Sequence, residues 1–175
     1  MRSVLCALVL MVVPTTCFGQ QGMWTLPQLS GHQAQFNILV TDLEITEEGV
    51  DAVDDSLTEL YNLVDEYLDC GLDLLFEDDM QAIADKIAAA RVNIANAQGN
   101  EQAVHNAYAA LVLVFTAPGA SQINDCSSWQ DAKGIWASDY LLASLRLYEP
   151  TVGLETMIED LAYDISVAID DCEGD

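Results

Sequence analysis

The sequence predicts an all-α protein, an antiparallel up-and-down bundle of five to six helices, and three observations carry that prediction. Apolar residues recur at helical spacing through most of the chain, as in Val50, Val53, Leu57, Leu60, Val64 and Tyr67. No stretch of useful length alternates with the two-residue period of a strand. Glycine, proline and asparagine punctuate the periodic segments at short intervals, so successive helices should lie antiparallel.

The first nineteen residues stand apart. Arg2 and the terminal amine form a positive start, Val4 to Val13 is uninterrupted apolar sequence, and Pro14 ends it. Cys17 and Gly19 are small residues placed for cleavage before Gln20, so residues 1–19 are expected to be a secretory signal peptide. The apolar run falls well short of the about 20 residues that span a bilayer, and no later segment reaches that length, so no transmembrane segment is expected. Removal of the leader is expected to place the protein outside the cell. Residues 20–30 then form an irregular lead-in, and residues 31–175 a single acidic helical-bundle domain large enough to bury a core without staples.

Within that domain, a first helix starts near His32 and carries Phe36, Leu39, Val40 and Leu43. Glu47, Glu48 and Gly49 open a second, which stops at Cys70-Gly71, where glycine can take the left-handed C-cap conformation. Asp78 and Asp79 occupy the N-cap position of a third, with Met80, Ile83, Ile87, Ala90, Ile94 and Ala97, ended by Gly99-Asn100. Glu101 opens a fourth, with Val104, Tyr108, Leu111, Val112 and Phe115, closed by Pro118-Gly119. Trp129, Ile135, Trp136, Tyr140, Leu141, Leu145 and Tyr148 form an aromatic-rich fifth helix ending before Pro150. The sixth runs from about Leu154 through Leu161 and Ile165 to Cys172.

Charge narrows the partners. Asp and Glu number 29 against 5 Lys and Arg, a formal net charge of −24. Without Arg2 the cations are Lys86, Arg91, Lys133 and Arg146. Nucleic acids and anionic membranes are disfavoured, because both are bound by neutralising phosphate. A cationic protein, calcium, or plain colloidal repulsion remains.

Three cysteines follow the leader: Cys70, Cys126 and Cys172. In a six-helix alternation all three fall at one pole, where two can pair. Three connectivities exist; Cys126–Cys172 is favoured slightly, with Cys70 left over, and an odd count also allows a disulfide-linked dimer. The same pole gathers Asp65, Glu66, Asp69, Asp73, Asp170, Asp171, Glu173 and Asp175. EF-hand spacing is absent there, and without CxxC pairs and with two histidines a zinc site is not expected either. No cofactor is expected.

Catalytic signals are sparse. His32 and His105 have no local serine or cysteine to activate, and no glycine-rich loop is built to hold phosphate. An enzyme is not expected. The rings of Trp129, Trp136 and Tyr140, with Tyr108 on the preceding helix, read first as core and second as the lining of a site for an apolar ligand.

Asp42-Leu43-Glu44-Ile45, followed by Val50-Asp51-Ala52-Val53-Asp54-Asp55-Ser56-Leu57, resembles the opening helices of the fungal hydrophobic surface-binding protein A and cell-wall galactomannoprotein family. Tyr140 to Pro150 and Leu154 to Ile169 resemble its late part. The resemblance implies an extracellular, non-catalytic, helical protein that adsorbs to hydrophobic surfaces or carries apolar molecules at a cell wall. The alternative is a secreted acidic protein that engages a cationic partner or calcium through its acidic pole.

Overall fold

The computed structural model describes residues 24–173 apart from 121 and 124. The expected signal peptide and Asp175 lie outside the described residues. Among these residues the architecture is all-helical, in four α-helices: α1 Leu26–Glu66, α2 Leu72–Phe115, α3 Ser127–Tyr148 and α4 Leu154–Glu173.

Two of the predicted helix breaks are absent, which is why the count is four. α1 starts at Leu26, inside the stretch predicted to be irregular. Its N-cap is Thr25, whose backbone N–H donates to Gln28 Oε1 at 2.9 Å, and a proline sits in the first turn. It then runs through Glu47-Glu48-Gly49 without interruption. Leu29, Phe36, Leu43, Val50, Leu57 and Val64 are buried at heptad spacing along its whole length, so one apolar seam crosses the predicted break. α2 behaves alike. Phe76, Ile83, Ala90, Ala97, Val104 and Leu111 keep the same spacing across Gly99-Asn100. Asp78 and Asp79 lie inside α2 and do not cap it. The chain reverses earlier, through a 3₁₀ turn at Leu68–Cys70 and Gly71 at φ 71°, a left-handed conformation that glycine adopts without strain.

α1 and α2 form a long antiparallel hairpin. Pairs along it run from Ser30 with Tyr108 at one end, through Glu47 with Gln98, to Asp51 with Arg91. At 1.5 Å per residue each helix is about 60 Å long. α3 lies along the first half of α1 in the same direction: Trp129 meets Gln33, Trp136 meets Phe36, and Leu147 meets Gly49. Glu149 then leaves helical conformation, as expected before Pro150. Gly153 restarts the rod, donating to Glu149 O at 2.8 Å and accepting from Met157 N at 3.0 Å. A Cβ on Gly153 would stand 2.6 Å from the Glu149 backbone, so only glycine fits that corner. α4 continues toward the turn between α1 and α2, with the Lys86 ammonium donating to Val152 O and Tyr67 donating to Glu173. The molecule is therefore three parallel rods, the third one broken in its middle.

This arrangement changes the cysteine geometry. Joining the predicted first and second helices and the third and fourth removes two reversals of direction. α4, expected antiparallel to α3, instead continues in its direction and removes a third, so Cys126, at the start of α3, lies at the opposite end from Cys70 and Cys172. Cys70 and Cys172 are the bridged pair, with Cα atoms 6.1 Å apart. Cys126, favoured from sequence as a partner of Cys172, is 3% exposed and lies outside that bridge.

Candidate functional site

The two ends of the hairpin differ in chemistry. One is where α1 begins, α2 ends and α3 begins. It is built around Gln33, a buried amide at 5% exposure. The indole N–H of Trp129, which can only donate, gives its hydrogen bond to Gln33 Oε1 at 2.9 Å. That contact turns the amide nitrogen toward Asn37 Oδ1 at 3.2 Å and His105 Nδ1 at 3.1 Å. Gln33 thereby uses its oxygen and both N–H bonds, and His105 Nδ1 must accept. The imidazole proton is left on Nε2, which donates to Glu101 Oε1 at 3.2 Å. Gln33, His105 and Trp129 thus tie all three rods together, each polar atom satisfied by another.

Aromatic rings surround this network. Phe36 packs edge-on against both His105 and Trp136, with centroids 5.4 and 4.9 Å apart, and Trp136 stacks on Tyr140 at 5.2 Å. Trp24 and His32 approach each other at 5.2 Å, and both lie 6.3 Å from Trp129. The Lys133 ammonium sits 5.2 Å from the Trp129 ring, and burial holds its pKa below the ordinary lysine value. Burial likewise raises the Tyr140 hydroxyl, against the opposing pull of its hydrogen bond to Ser144.

Trp129, Trp136 and Tyr140, read from sequence first as core and second as a ligand lining, are buried and packed into the core cluster. Tyr108 is half-buried beside them, its hydroxyl 3.2 Å from Ser30 Oγ. An open groove lies elsewhere, between the middles of α1 and α2, with Val50, Ile94 and Ala95 beneath Glu47, Asp51, Arg91 and Gln98. Its rim is tied across by Arg91 to Asp51 and Gln98 to Glu47, each at 2.8 Å. Arg91 also reaches Asp54 at 2.8 Å, and the carboxylate of Asp51 foremost raises its pKa. These groups are exposed, so the pairs add little stability.

The far end holds the Cys70–Cys172 bridge, and there the structure brings Asp69, Asp73, Asp170 and Asp171 to one pole, together with Asp65 and Glu66. Tyr67 donates to Glu173 Oε1 at 2.9 Å, and that hydrogen bond raises the Tyr67 pKa. Among the described residues no group of three or more His, Cys, Asp or Glu is arranged to hold a metal ion, and no helix is long and apolar enough to cross a membrane.

Charge is therefore sorted along the rod. α1 carries no charged side chain from Leu26 to Thr41, and neither does α2 from Gln102 to Phe115, apart from the titratable His32 and His105. Every charged side chain of α4 is a carboxylate. α1 from Asp42 onward likewise carries carboxylates and no cation. α3 alone balances Asp131 and Asp139 with Lys133 and Arg146. Its outward side is apolar as well: Ile135, Leu141 and Leu145, part of the helical pattern read from sequence, are exposed together with Leu142. The sorting was missed from sequence because it depends on which segments lie level, and the register of the hairpin sets that.

No protein-family model, no curated protein and no solved structure matches the chain.

Proposed function

We propose that this is a secreted, non-catalytic protein that adsorbs to hydrophobic surfaces. The observation that carries the reading is the sorted charge: an aromatic end where α1 and α2 carry no Asp, Glu, Lys or Arg and present exposed aliphatic residues, on a rod whose other end is strongly anionic. Such a molecule is amphiphilic along its length. Apolar surface gains by leaving water, while the carboxylates keep the rest hydrated and the molecules apart. Close packing of Trp129, Trp136 and Tyr140 favours adsorption over carriage of an apolar ligand in an internal cavity. Engagement of both His105 ring nitrogens, by Gln33 and Glu101, is in keeping with a structural histidine.

Adsorption to uncharged hydrophobic beads, measured between about pH 3 and 7, tests the reading. Binding should rise as pH falls toward the isoelectric point near 4.1, because repulsion within the layer fades. Failure to adsorb across that range would refute it. The competing reading, a cationic partner or calcium at the acidic pole, is favoured by the carboxylates gathered around Cys70 and Cys172. It requires calcium to raise the unfolding temperature beyond the effect of equal ionic strength.

A further inference from the structure

We infer that the protein meets an uncharged apolar surface end-on, through the pole where α1 begins and α2 ends, with the disulfide-bridged pole held away in water; this rests on the adsorption reading above. The Ser30–Tyr108 contact sets the start of α1 level with the end of α2. That brings Leu26 and Pro27 to the same end as Leu113 and Val114, and all four are exposed, Leu113 at 71%. The nearest charged groups in the adjoining loop and helix are Asp125, engaged by the Ser127 N–H at 2.8 Å, then Asp131, and Lys133 drawn over the Trp129 ring.

Exposure alone does not select this end, because Leu74 and Leu75 are also bare, at 77% and 62%, near the opposite one. Charge selects it. Leu74 and Leu75 stand between Asp73 and Glu77, so pressing them onto an apolar surface would strip water from carboxylates, which costs more than burying an aliphatic side chain returns. At the Leu113 end no carboxylate needs to be dehydrated on α1 or α2. The chain also enters the fold there: Trp24 pairs with Ile123, with N to O distances of 2.8 and 3.0 Å.

The test is the layer formed by the secreted protein on octadecyl-silanised silica at neutral pH, read by neutron reflectometry beside an adsorption isotherm. End-on attachment gives a layer about 60 Å thick, the length of the long helices. Leu113→Glu with Val114→Glu should weaken adsorption about tenfold, and Leu74→Glu with Leu75→Glu should leave it unchanged. All four positions are exposed, and circular dichroism verifies that each variant folds. A layer about 20 Å thick, or the opposite ranking of the two variants, overturns the orientation while leaving adsorption standing. Absence of adsorption by the unaltered protein removes both. A dimer in sedimentation that the Leu113→Glu, Val114→Glu variant dissociates would assign this pole to a second copy and also overturn the inference.

Discussion

Leu147 fills the space that a side chain on Gly49 would need: a Cβ on Gly49 would stand 2.7 Å from Leu147 Cδ2. Leu147 is fully buried, so it has little room to withdraw. Gly49 is thus the point where the third rod closes against α1, and it lies within unbroken helix.

Gly49 and Gly99 should therefore respond oppositely to alanine. A Cβ on Gly99 meets nothing within 4 Å, so Gly99→Ala should stabilise the protein by about 0.5–1 kcal/mol through helix propensity alone. Gly49→Ala gains the same propensity but overpacks Leu147, at a cost of about 1–3 kcal/mol, and should be neutral or destabilising. Urea unfolding of the two variants checks this. A destabilised Gly99→Ala would mean that α2 does break at that point.

The bridge between Cys70 and Cys172 spans a sequence separation of 102 residues and fastens the end of α4 to the turn between α1 and α2. Replacing both cysteines with serine should cost about 2–5 kcal/mol, chiefly by freeing the unfolded chain. Peptide mapping without reduction should recover this pair. A recovered Cys126–Cys172 peptide would contradict the register of the rods.

Gln33→Leu should cost about 1–3 kcal/mol, because it leaves the buried Trp129 indole N–H without its acceptor. In the unaltered protein, nitrogen-15 shifts near neutral pH should find His105 in the tautomer protonated at Nε2, as the orientation of Gln33 requires. The opposite tautomer would show that the amide is turned the other way and the network is wired differently.

Glu155, in the first turn of α4, has its carboxyl pKa raised by burial first and by Glu159 second. A carboxyl that is harder to ionise when folded binds its proton more tightly in the native state. Its penalty is full above the folded pKa, shrinks as pH falls through that value, and is gone below the unfolded value of about 4.3. Glu155→Gln should thus stabilise the protein at neutral pH, by less than about 1 kcal/mol because the group is mostly exposed, and make no difference in acid. A stability gap independent of pH would refute the assignment.

The helical class and the buried seams could be read from periodicity, since Val50 to Val64 and Met80 to Ala97 lie where their spacing puts them. The chain reversal at Cys70-Gly71 and the break at Pro150 were legible for the same local reason, a residue that ends helices there. Gly49 and Gly99 misled because a glycine weakens a helix locally without ending one whose packing continues. The corrective signal was present: Leu43 to Val50 and Ala97 to Val104 keep the heptad across each glycine. The Gly99 misreading placed Cys126 wrongly at the end of Cys70, and reading the break at Pro150 as a reversal placed Cys172 beside Cys126, whereas α4 continues the direction of α3 to Cys70. Gln33, separated by 72 residues from His105 and 96 from Trp129, carries no local pattern that announces its role. Only the register of three packed rods brings those side chains together.

The central claim is that two uninterrupted long helices make this molecule a rod with unlike ends. Small-angle X-ray scattering of the protein lacking residues 1–19, in dilute neutral buffer with salt, tests it most directly. The rod predicts a radius of gyration of about 20 Å, as expected for a length of about 60 Å. A compact bundle of five or six short helices would instead give about 15 Å, and that value would contradict the fold and the separation of its poles together.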